Sequence, residues 1–110
     1  MVPGVEPKRI EEYIGRVNTD TEALSVAVMV APGGWTEPGQ RPDFDEVTVV
    51  MTGTVRVEHE NGSDEVAAGQ AVIVRSGEWV RHSTPYDDGA QYVSVCSPAF
   101  APYLANRDVT

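Results

Sequence analysis

The chain has 110 residues, the size of one domain that buries about two-thirds of its unfolded surface. Seventeen acidic against eight basic side chains give a net charge of −9, which argues against a nucleic-acid partner because phosphate binding needs a clustered basic face. One cysteine, Cys96, excludes an internal disulfide and a cysteine-based zinc cluster. Residues 1–9 hold two prolines and a glycine and read as an N-terminal arm. Residues 10–17 read as a first strand with Tyr13 as an aromatic anchor, and Asn18, Thr19 and Asp20 as a turn. Residues 24–31 read as a buried strand because their apolar run is continuous, and Pro32, Gly33 and Gly34 end it. Residues 35–43 form a loop rich in proline and glycine. Residues 44–51 and 54–60 are strands parted at Gly53, and Asn61-Gly62 is a hairpin turn, since both residues tolerate positive φ. Short strands follow at 64–67, 71–74 and 79–84, then a last long one at 91–96. Residues 98–110 are a tail with one helical turn, on which Phe100 and Tyr103 pack back.

Strands this short and evenly spaced, without an amphipathic helix, predict an all-β antiparallel sandwich or barrel in a single domain, with residues 10–97 as its body. Side chains alternate across a strand, so Glu46, Thr48 and Val50 share one face. A carboxylate on an interior face must be paired, hydrogen-bonded, neutralised or used. The longest apolar run, residues 26–31, is too short to span a bilayer. The first ten residues, MVPGVEPKRI, lack the apolar core of a signal peptide, so no membrane partner and a cytoplasmic location are expected.

A glutamate, six residues and a glycine, Glu46 to Gly53, match the second half of the first cupin motif. The stretch from Gly69 to Thr84, GQAVIVRSGEWVRHST, matches the skeleton of the second, and the connection between the motifs has the length of a single-domain cupin. The chain therefore resembles the small cupins over residues 31–98, and in its YVSVCSP ending the glutamine-utilisation and ethanolamine-utilisation types. The resemblance implies a jelly-roll (double-stranded β-helix) barrel. In metal-binding cupins two histidines precede the glutamate and a third lies in the second motif. Those positions fall here on Gln40, Pro42 and Val80, so the resemblance implies a barrel without the usual metal ligands and with no cofactor.

Glu46 is the first candidate for acid–base chemistry, its pKa expected to rise in an apolar cavity; the alternative is a glutamate paired with Arg41, Arg75 or Arg81. His82, two residues past Val80 and on the same face, is its expected proton-transfer partner, against a core histidine held by a backbone carbonyl. His59 reads as a solvated hairpin tip. Gln40 would donate a hydrogen bond to a substrate oxygen, while Thr48, Val50 and Val80 would line the cavity. Trp35 and Trp79 would flank its mouth as aromatic walls, against a dimer contact or a barrel-end plug. Cys96 reads as a buried inert thiol.

The function expected from this set is a metal-independent enzyme of isomerase, epimerase, cyclase or lyase type, acting on a small apolar molecule such as a natural-product intermediate. The alternatives are a binding or sensing cupin without chemistry, and a divalent-metal site rearranged onto Gln40, Glu46 and His82. The expected partners are a small-molecule ligand in the barrel and a second copy of the chain, since a small sheet leaves edges for the N-terminal arm to cover.

Overall fold

One long strand organises the molecule. In the computed structural model, which describes residues 7–108, β4 (Asp45–His59) runs through both layers of a rolled antiparallel sheet. Its first half pairs with β6 (Ala71–Val74) on one side and β8 (Ala90–Ser97) on the other. Its second half pairs with β5 (Gly62–Ala67) and β7 (Val80–Thr84). The first layer is completed by β2 (Ser25–Ala31) and β1 (Arg9–Ile14), giving the order β6–β4–β8–β2–β1. In the second, β3 (Trp35–Thr36) adds to β7, giving β5–β4–β7–β3. Only α1 (Pro102–Ala105) is helical among the described residues.

Where β4 crosses between layers it has a bulge between Val50 and Thr52, and Gly53 takes φ +74°. The two strands expected on either side of Gly53 are thus one strand with a bend. Positive φ suits glycine, and there is a second constraint on this position. A Cβ at residue 53 would lie 2.0 Å from the carbonyl oxygen of Gly89, the residue just before the neighbouring strand β8.

The apolar core lies in the interior of the roll, where Val50, Val55, Val57 and Val80 are essentially inaccessible and Trp35 and Tyr92 are buried with them. At one end, Phe44 and Phe100 meet edge to face with centroids 5.9 Å apart. Several expectations shift. The hairpin turn is Glu60-Asn61, one residue earlier than expected, because Gly62 already pairs with His59. Residues 35–43 are more ordered than a loop: they hold β3, and Gln40 bridges both Val80 and Arg107. Tyr13 is not an anchor but 54% exposed, and Tyr103 is 72% exposed, leaving Phe100 to hold the tail. Of the expected arm, residues 1–6 lie outside the described residues, while Lys8 is tucked into the roll. Its Nζ sits 4.3 Å from the centroid of Trp35 and 3.3 Å from the Tyr92 hydroxyl. Among the described residues no helix is long and apolar enough to cross a membrane.

Candidate functional site

Alternation along β4 and β8 turns Glu46, Thr48 and Val50 inward on one strand and Tyr92, Ser94 and Cys96 inward on the next. Glu46 pairs in register with Cys96, and Thr48 with Ser94. Ser94 Oγ donates to Glu46 Oε2 at 2.6 Å, a short charge-assisted bond. The other carboxylate oxygen, Oε1, is buried, has no hydrogen-bond partner among the described residues, and lies 3.9 Å from His82 Nε2. None of the three arginines offered as its partner reaches it: Arg41 pairs with Glu60, Arg75 with Asp45 and Arg81 with Glu58.

His82 is buried between two carboxylates. Its Nδ1 is 3.0 Å from Glu37 Oε2, and Nε2 is 3.3 Å from Thr48 Oγ1. Glu37 also accepts from the His82 backbone N–H at 3.2 Å and lies 4.0 Å from Lys8 Nζ. Burial alone would push the His82 pKa down, but the charges of Glu37 and Glu46 outweigh it and raise it. Burial likewise opposes ionisation of Glu37, yet His82 and Lys8 hold its carboxyl below the usual range. Lys8 is the reverse case: burial lowers its pKa, and Glu37 and Glu46 only partly offset that. Burial, with Glu46 adding to it, pushes the Cys96 thiol up to about 12, so this sulfur is protonated and inert near neutral pH.

A cavity of about 90 Å³ opens beside Glu46. Its polar lining comes chiefly from Lys8, Glu37, Gln40, Glu46, Ser94 and Arg107, and its apolar floor includes Met29, Phe44 and Phe100. Of the residues expected from sequence, Glu46 and Gln40 line it. Gln40 is 6% exposed, held by backbone bonds to Val80 in both directions, and its side-chain amide has no partner among the described residues. His82 sits behind the lining, 3.0 Å from Glu37 and 3.9 Å from Glu46, and Thr48 lies behind it, its Oγ1 3.3 Å from His82 Nε2. Val50 and Val80 belong to the sealed core.

The two tryptophans are not mouth walls. Trp35 is buried in the core under Lys8, and Trp79 clamps the tail by donating from Nε1 to Asp108 Oδ2 at 2.9 Å. The backbone N–H of Asp108 is fastened to the Gly39 carbonyl at 2.8 Å, so the segment carrying Arg107 closes that side of the cavity. His59 pairs with Asp64 at the hairpin tip. Glu37 and Lys8 were missed from sequence. Glu37 sits three residues before Gln40 on the same loop, a carboxylate in a stretch that otherwise reads as turn formers. Lys8 lay in a proline-rich stretch with no periodicity to place it. Among the described residues no group of three or more His, Cys, Asp or Glu side chains is arranged to hold a metal ion.

The architecture is that of the cupins, a double-stranded β-helix. An RmlC-like cupin from Methanocaldococcus jannaschii superposes with a TM-score of 0.72 at 16% identity, covering 89% of this chain and 86% of that one. The EutQ protein of Clostridium difficile gives 0.70 at 18% identity, covering 84% of this chain and 63% of that one. At these identities the likeness carries the fold alone. No protein-family model matches the chain. In sequence, the chain is 42% identical over 108 residues to a Myxococcus xanthus (strain DK1622) protein named endoribonuclease YbeY, covering 98% of this chain and 37% of the relative. The chain thus spans little more than a third of that protein. This similarity corrects the functional expectation. A relative named for hydrolysis of RNA does not fit an isomerase, epimerase, cyclase or lyase of small apolar molecules.

Proposed function

We propose that this chain acts in RNA processing as the cupin-fold module of an endoribonuclease. It holds a small polar ligand in its barrel, while other parts of that protein cut the RNA. One observation carries this reading: the similarity to the M. xanthus endoribonuclease takes in almost all of this chain but only 37% of the relative. Two properties of the chain agree with a supporting role. A net charge of −9 repels a phosphate backbone. The cavity, about 90 Å³, is small beside the pockets of roughly 300 Å³ or more that enclose larger ligands.

The lining chemistry supports a ligand class. Glu46 Oε1 is a buried acceptor without a donor, and an unsatisfied buried acceptor costs about 1–3 kcal/mol. The Gln40 amide offers both a donor and an acceptor to the same space. A compact compound bearing a hydroxyl or ammonium group would satisfy Glu46 and Gln40 together over the Phe44–Phe100 floor.

Deleting the region matching this chain from the M. xanthus relative tests the division of labour. The remaining protein is expected to keep cutting RNA; a remainder that stays folded but no longer cuts RNA would overturn the reading. For the ligand, melting-temperature shifts against short-chain polyols and amines should appear in the native chain and vanish in Glu46→Gln.

A further inference from the structure

Of the eight basic side chains in the sequence, seven are arginines. The single lysine, Lys8, is placed in the cavity, its side chain only 14% exposed. Where a carboxylate has to be gripped, arginine is the better residue. What lysine has and arginine lacks is an amine that gives up its proton when buried and then acts as a nucleophile. Lys8 has those surroundings. Its Nζ lies over the Trp35 ring, 3.3 Å from the Tyr92 hydroxyl and 4.0 Å from Glu37 Oε1. Glu46, Arg107, His82 and the Cys96 thiol are the other charged or titratable groups that act on it. Burial outweighs the two carboxylates and holds the amine below the ordinary lysine range. The arginines divide in a similar way. Arg9, Arg16, Arg41, Arg56, Arg75 and Arg81 each pair with a carboxylate. Arg107 lines the cavity instead, and among the described residues its guanidinium pairs with none. Its backbone bridges to Gln40, so it is offered to the cavity from a fixed segment.

We propose that Lys8 is a nucleophile that forms an imine with a compact oxo acid, whose carboxylate is taken by Arg107 and whose carbonyl carbon is presented to the Lys8 amine. This rests on the reading of the barrel as the holder of a small polar ligand, and it names that ligand's class. Glu37 Oε1 takes one proton from the Lys8 ammonium. The neutral nitrogen adds to the carbonyl carbon, the C–O double bond opens, and a proton passes from nitrogen to that oxygen, giving a carbinolamine. Glu37 returns its proton to the carbinolamine hydroxyl, the C–O bond breaks and water leaves. The sum is ammonium plus carbonyl going to protonated imine plus water, with no change of oxidation state. The carbinolamine hydroxyl is also the donor that Glu46 Oε1 lacks, and the Gln40 amide polarises the carbonyl oxygen before attack.

Reductive trapping on the whole chain tests it, with glyoxylate and sodium cyanoborohydride as the probe and peptide mass mapping as the readout. Apart from the α-amino group of the first residue, Lys8 is the one primary amine in the sequence. The native chain is expected to take the label on Lys8 about tenfold faster than the same chain unfolded in urea. Lys8→Arg keeps a cation over Trp35 and should lose the label with unchanged circular dichroism. Arg107→Gln should slow glyoxylate to the rate of glycolaldehyde, which has no carboxylate. The comparison of native with unfolded chain needs no variant, so it decides even if Lys8→Arg does not fold. Lys8 left unlabelled, or labelled faster once unfolded, would overturn the proposal and make this lysine a structural cation. Equal rates for glyoxylate and glycolaldehyde on the native chain would overturn the part given to Arg107. Melting shifts by polyols and amines that vanish in Glu46→Gln, with no trapping on Lys8, would keep the ligand reading and remove the imine. Trapping on Lys8 without those shifts would support the imine and replace polyols and amines as the ligand class.

Discussion

The two faces of β4 and β8 are built from alternate residues of the same strands, yet their chemistry is reversed from the usual pattern. The inward set carries Glu46, Thr48 and Ser94 beside the buried Val50, Tyr92 and Cys96; the outward set, Val47, Val49, Val93 and Val95, is wholly aliphatic. An ordinary half-buried strand does the opposite. The inward carboxylate is tolerated because Ser94 bonds it and His82 lies close by. The outward valines have no counterpart among the described residues. One face is shaped by a site, while the other is a partly exposed aliphatic surface.

The largest expected effect breaks the element that joins both faces. Gly53→Ala forces a Cβ against the Gly89 carbonyl at positive φ and should cost about 3 kcal/mol or more, read as a fall in the urea midpoint. Next comes the ion pair behind the site. Glu37→Gln strands His82 without its closest partner, and breaking such a buried pair costs about 3 kcal/mol.

The same pair sets the pH response. His82 is held above its ordinary 6.5, so its contribution is complete below that value and fades as pH rises through the raised pKa. Glu37 is held below its ordinary 4.5, so its contribution is present above that value and fades as pH falls through the depressed pKa. Unfolding free energy measured across pH should therefore decline on both sides, and His82→Gln should remove the alkaline decline that begins above 6.5. Lys8, lowered by burial, acts in the opposite sense at higher pH.

A smaller effect sharpens the polar face. Ser94→Ala deletes the bond to Glu46 Oε2, worth about 1.5–3 kcal/mol for a charge-assisted bond, and should weaken any ligand that bonds Glu46. Smallest of all, Cys96 should resist thiol reagents at pH 8 until the chain unfolds, since burial pushes its pKa to about 12.

The strand pattern was readable because period-2 alternation and turn residues are local. The inward direction of Glu46 rested on the likeness of its stretch to the first cupin motif, because alternation alone, with Val47, Val49 and Met51 on the other face, left the interior side open. Three things were not local. The burial of Lys8 against Trp35 depends on how the segment before β1 enters the roll, and nothing in its composition encodes that. The partnership of Glu37 with His82 joins residues 45 apart in sequence through the β3–β7 pairing. The displacement of Trp35 and Trp79 from the cavity follows from the short β3 and from the Asp108 clamp, each fixed by tertiary contacts. The continuous apolar run of β2 was read as a buried strand, and among the described residues only one of its faces is covered.

The direct test of the functional account is to incubate the purified chain alone with single-stranded and structured RNA, in the presence of magnesium, manganese or zinc, and follow the RNA on a denaturing gel. The account predicts intact RNA in every lane. Cleavage by the native chain that disappears in Glu46→Gln or His82→Gln would contradict it and make this barrel the nuclease itself.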